Sequence, residues 1–153
     1  MEVFASMRGC DLIVPQWTEI FAIDDGYVVE KATKFYRGTW QLAIRHAVGL
    51  VRYCEIQEDE LISSYRKGDE VKSGQVIAHV GKMYRDSMLH FELYDATIAG
   101  PLTVRSNAGF QRRSDLVDPA PLPDRLATDV RASATQGPGA AALMESMRGG
   151  APA

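Results

Sequence analysis

The chain has 153 residues, 46% hydrophobic and 24% charged, with a formal net charge of −3. That is the make-up of one globular domain with a real core, and its scattered basic residues leave no footprint for nucleic acid or an anionic membrane. No apolar run approaches the length of a membrane span.

In chain order, the opening MEVFASMRGC lacks the charged and apolar regions of a secretory signal. The expectation is a protein made in the cytoplasm that acts in an envelope or periplasm only if other machinery delivers it. Cys10 and Cys54 make no disulfide framework and read as small buried hydrophobes. Strand-like runs follow at 19–23 (EIFAI), 27–30 (YVVE), 40–46 (WQLAIRH), 50–56 (LVRYCEI), 75–80 (QVIAHV) and 89–94 (LHFELY). Turn chemistry separates them, at Asp24-Asp25-Gly26, Arg37-Gly38, Val48-Gly49, Lys67-Gly68-Asp69 and Ser73-Gly74. The reading is mainly β, an antiparallel sheet or sandwich. Residues 1–125 form the folded domain. From 126 to 153 the composition turns to Ala, Gly, Ser and Pro, which bury too little to offset ordering entropy, so a flexible tail is expected, with at most a short helix at AALMESM.

The most informative stretch is DSMLHFELYD (86–95). Its period of two sends Leu89, Phe91 and Leu93 to the core and Met88, His90, Glu92 and Tyr94 outward. A histidine stands in the middle of the outward row with a methionine two places before it, the spacing at which paired groups can serve one site. Of that pair only the histidine looks like a site residue. Period two also places Val51, Tyr53 and Glu55 on one face, opposite Arg52, Cys54 and Ile56.

Five markers stand in one order: MRGCDLIVPQWTEIFAIDDGYVV, AIRHAVGLVRYCEI, KGDEVKSGQVIAHVG, MLHFEL and LVDPAPL. Together they resemble the lysostaphin-type, or LytM-like, zinc endopeptidases of bacterial peptidoglycan, over about 7–122. The resemblance implies the duplicated hybrid-motif β fold. It also implies zinc held by a first His, an Asp and the second His of His-x-His, with two further imidazoles acting on water and the intermediate. Carried over by position, Asp11 and His90 match ligands. Met7 stands at the first ligand His, Met88 at the catalytic His of His-x-His, and Glu55 at the His of Tyr-x-His.

A catalytic zinc takes three N, O or S ligands plus water, and a thioether suits Cu(I) better than Zn²⁺. The expectation is therefore a degenerate peptidase domain, with zinc weakly held or absent. It would bind peptidoglycan peptide or a protein partner, as a regulator or a structural module in an envelope or phage-tail assembly. It could be delivered by a phage tail or a secretion apparatus or released by lysis. Two alternatives stay open from the same residues. One is an active zinc endopeptidase using Asp11, His90 and Glu55, the last as ligand or general base. The other is a biotinyl- or lipoyl-type carrier at Lys82. A soft copper set of Met7, Met88, His90 and Cys10 is the remote variant. The plainer readings are that His90 is a polar groove residue, Asp11 a turn cap and Glu55 an exposed strand carboxylate. His46 and His79 read as structural, Arg112-Arg113 as a solvated or salt-bridged loop, and Tyr53 and Tyr94 as flanks of the groove or as packing.

Overall fold

The chain opens with a hairpin that pairs β1 (Glu2–Ser6) with β2 (Gly9–Ile13). The computed structural model describes residues 2–6, as backbone alone, 9–107 and 111–119. Met7 and the expected tail at 126–153 lie outside the described residues. Against β2 runs β10 (Met88–Tyr94), then β7 (Gly49–Ile56), β6 (Trp40–His46), β4 (Gly26–Val28) and β8 (Glu70–Val71). β5 (Thr33–Lys34) adds to β6 and β11 (Leu116–Val117) to the end of β10; every pairing is antiparallel. β3 (Glu19–Phe21) and β9 (Val76–His79) form a separate two-stranded sheet, joined to the end of β7 by an Ile56–Val80 bridge.

The mainly β, antiparallel expectation holds. WQLAIRH is a strand over the expected residues, and the His90 strand begins one residue early, at Met88. The short strands β1, β2, β5, β8 and β11 were not expected. Runs of two to five residues carry too little alternation to read against turn signals. The one helix among the described residues, α1 (Glu60–Ser64), is capped by Asp59, whose Oδ1 accepts from the Ile62 N–H at 3.0 Å. No helix among the described residues is long and apolar enough to cross a membrane.

One face of the large sheet carries the main core, with Leu42, Ile44, Val51, Tyr53 and Phe91 among its buried members. Its other face was expected to meet water, and here the expectation fails. Glu92 and Tyr94 are fully buried, because the segment after β10 returns across that face. Leu102 packs with Tyr94, Ala43 and Leu50 in a second apolar cluster, and β11 pairs back onto β10. β7 is buried along its whole length for the same reason.

Tyr53 belongs to the core and not to a groove wall. Its hydroxyl accepts from the Ile23 N–H at 3.3 Å and lies 3.0 Å from His46 Nε2; His46 Nδ1 lies 3.0 Å from the Asp25 carbonyl. His46 is thus a buried structural link, and burial lowers its pKa. His79 is structural as well, pairing through Nδ1 with Asp59 Oδ2 at 2.9 Å.

Candidate functional site

β2 and β10 set Asp11 directly opposite His90, and β7 sets Arg52 opposite Glu92. Residues facing each other across antiparallel strands share a sheet face. That register therefore gathers a polar chain on the covered face. His90 Nδ1 lies 2.6 Å from Asp11 Oδ1, and His90 Nε2 lies 2.9 Å from Glu92 Oε1. A ring with a carboxylate on each nitrogen donates from both, so the imidazole is held as imidazolium. Glu92 Oε2 accepts in turn from Arg52 Nε at 2.6 Å and from the Tyr94 hydroxyl at 2.7 Å. Arg112 Nε bonds Glu92 Oε1, and Arg52 Nη1 also donates to Gln41 and Thr103. The Phe35 ring stacks over His90, with centroids 6.3 Å apart and planes 13° from parallel, and both guanidiniums lie over the same ring.

The chain runs inward from solvent: the Asp11 side chain is 38% exposed, His90 13% and Glu92 0%. Burial disfavours charge on His90, yet the hydrogen bonds to Asp11 and Glu92 outweigh it and push the pKa up to about 9. Burial also opposes the Glu92 carboxylate. The His90 bond and the Arg52 and Arg112 charges overcome it and hold the pKa down at about 2. A buried carboxylate with this many donors is a satisfied ionic centre.

Gly9 lets the strands close this tightly. Its φ is +128°, and a Cβ there would stand 2.6 Å from the Phe91 carbonyl and 3.0 Å from His90 Cε1. A side chain at position 9 would strike β10 at the histidine.

Glu55 reaches the site by a different route from the expected one. Strict alternation would turn it with Tyr53 toward the core, while Arg52 and Cys54 occupy the face of His90 and Glu92. The expected grouping of faces therefore holds through Cys54 and breaks at Glu55 and Ile56. The reason is a β-bulge: Gln41 pairs with Cys54 and Trp40 with Ile56, leaving Glu55 as the extra residue with φ +61°. Its side chain is buried, and Oε2 has no hydrogen-bond partner. Burial pushes its pKa up to about 7; the His90 charge pulls it down and the Asp11 charge adds to the rise.

The structure thus brings Asp11 and His90 into contact and places Glu55 within their electrostatic reach. Met88 is half-buried opposite Ile13, on the row of His90. Arg112 and Arg113 are salt-bridged, Arg113 to Asp115 at 2.6 Å, and Tyr94 lies under the site as a Glu92 donor. Glu92, Arg52, Phe35 and Gly9 are site residues that were not expected from the sequence. Only Glu92 left a signal, as the next member of the His90 row.

A zinc ion needs lone pairs from three side chains. The two retained ligand positions are instead bonded to each other, and both nitrogens of His90 are committed to carboxylates. Among the described residues no three His, Cys, Asp or Glu side chains gather into a ligating group. Cys10 is in the core, turned away from any copper set. The described residues do not fit a catalytic zinc.

Residues 5–101 match the family model described as peptidase family M23. Among solved structures, the catalytic domain of the antimicrobial peptidase lysostaphin from Staphylococcus simulans superposes with a TM-score of 0.55 at 24% identity, over 74% of this chain and 76% of that one. The solution structure of lysostaphin gives 0.57 at 24% identity, over 77% of this chain and 43% of that one, so the chain spans less than half of that protein. LytU gives 0.56 at 23% identity, over 77% and 72%. Identities of this size speak for the fold. No curated protein matches the chain.

Proposed function

The chain belongs to peptidase family M23, and we propose that it is a binding member of that family, which holds peptidoglycan peptide or a protein partner without cutting it. The observation that carries this reading is the Asp11–His90–Glu92 chain. The histidine that would serve a metal is used on both nitrogens as a charged cross-link between strands. With Met88 at the other imidazole position, no neutral imidazole is left there to act as a base. The domain then works as a shaped surface in an envelope, regulating or assembling, after delivery by a phage tail or a secretion apparatus.

One observation favours a second reading, zinc-dependent hydrolysis with Asp11, His90 and Glu55 as the donor set: the unpartnered, buried Oε2 of Glu55. That reading requires both His90 bonds to break. The experiment that separates the two mixes the full chain with purified peptidoglycan, with added zinc or with EDTA. Co-sedimentation that is indifferent to EDTA, with no release of new amino groups, is the expected result. Amine release that zinc supports and EDTA abolishes would establish the second reading.

A further inference from the structure

Outside the Asp11–His90–Glu92 chain, a cavity of about 780 Å³ opens between residues 30–34 and residues 62–67, the segment leaving α1. It brings together Lys31, Lys34, Arg66 and Lys67 against a single acid, Glu30. All four cations are exposed, and none forms an ion pair among the described residues. Bulk composition does not account for them. The chain carries a net −3, yet four of its 17 Lys and Arg residues meet at this one concavity. Like charges held together repel one another unless a counter-charge sits among them.

The rest of the wall suits a ligand. Half-buried Trp40 and buried Ile62 give it an apolar part. Tyr65 is buried there, and its hydroxyl has no hydrogen-bond partner among the described residues, which is rare for a buried donor. The volume lies in the range of small-molecule sites. A second cavity, of about 570 Å³, shares Glu30, Lys31, Thr33 and Lys67 and continues to Thr103. Lys31 and Lys67 therefore stand where two cavities meet, with anion-sized space on either side.

We propose that this trough binds a small polyanion, a ligand with two or more phosphate or carboxylate groups. Lys31 and Lys67 contact its middle, Arg66 offers one group a two-pronged hydrogen-bonding fork, and Lys34 adds a point charge. This site does not depend on whether the M23 groove binds or cuts peptidoglycan.

Trp40 can report the test, since Trp17→Phe leaves it the one indole of the chain's two tryptophans. The Trp17→Phe protein is titrated with pyrophosphate and, separately, with citrate at fixed ionic strength. The expected result is a saturable change in emission that weakens as salt rises. Lys31→Glu with Lys67→Glu is expected to weaken binding by at least about tenfold, while exposed Arg85→Glu leaves it unchanged. Circular dichroism checks the fold of the double variant, and Lys34→Gln serves the same comparison if that variant misfolds. A response to pyrophosphate alone assigns a phosphate ligand, and a response to citrate alone assigns a carboxylate. No saturable response to either probe, or equal weakening by Arg85→Glu, overturns the proposal.

Discussion

Glu92 shows how one buried charge organises a site. It accepts from His90, Arg52, Arg112 and Tyr94 at once, with its side chain 0% exposed. Removing one member of such a set leaves the others buried and uncompensated. Glu92→Gln is therefore expected to cost about 3–5 kcal/mol in urea denaturation, whereas a loss within about 0.5 kcal/mol, the scale of a surface change, would mean the set is not what joins these strands. Gly9 gives a second test at this scale. Gly9→Ala places a methyl against the Phe91 carbonyl with φ at +128°, so a marked drop in melting temperature is expected, with the His90 imidazole resonances displaced in an NMR spectrum. Asp11 was legible only through the family resemblance, whereas His90 also stood out in the alternating row of 86–95. The burial of Glu92 was not legible. A polar residue in an alternating strand reads as solvent-facing, and nothing local to 86–95 reveals that Leu102, Thr103, Arg112 and Leu116 will come to lie over that face.

Two elements carry most of the architecture, the β6–β7 hairpin and β10. WQLAIRH and LVRYCEI were legible as strands because they are long and rich in β-branched and aromatic residues. Their faces were assigned correctly through Cys54 and wrongly beyond it, because a one-residue bulge at Glu55 breaks the period on which that assignment rests. The hairpin also holds a pH-sensitive link. His46 is buried with Tyr53 and the Asp25 carbonyl, and its folded pKa lies below the ordinary value near 6.5. Between those two values the unfolded chain binds the proton more readily, so this link loses stability as pH falls below about 6.5. Melting temperatures from pH 8 to pH 5, for the native chain and for His46→Gln, check it. The native chain is expected to lose more than the variant on the acid side, and parallel curves would remove His46 from the account.

At the scale of the whole molecule, an M23 fold surrounds a centre whose carboxylates are paired with cations of the same chain. The family's fold and the order of its markers were readable in advance, since they depend on strand and turn chemistry spread over most of the chain. The state of the centre was not, since it depends on which partners His90 meets in three dimensions. On the proposed reading, an ionic cross-link of this kind joins the strands in place of a metal, and the fold is expected not to depend on zinc. A ligand that binds only the folded state raises the melting temperature as its concentration rises, so metal content and stability can be read from one sample. The decisive measurement is equilibrium dialysis of the full chain against zinc, followed by metal analysis and thermal denaturation with and without EDTA. Zinc well below one per chain and a melting temperature that EDTA leaves in place are the expected result. One zinc per chain, removed by EDTA together with a fall in melting temperature, would contradict it.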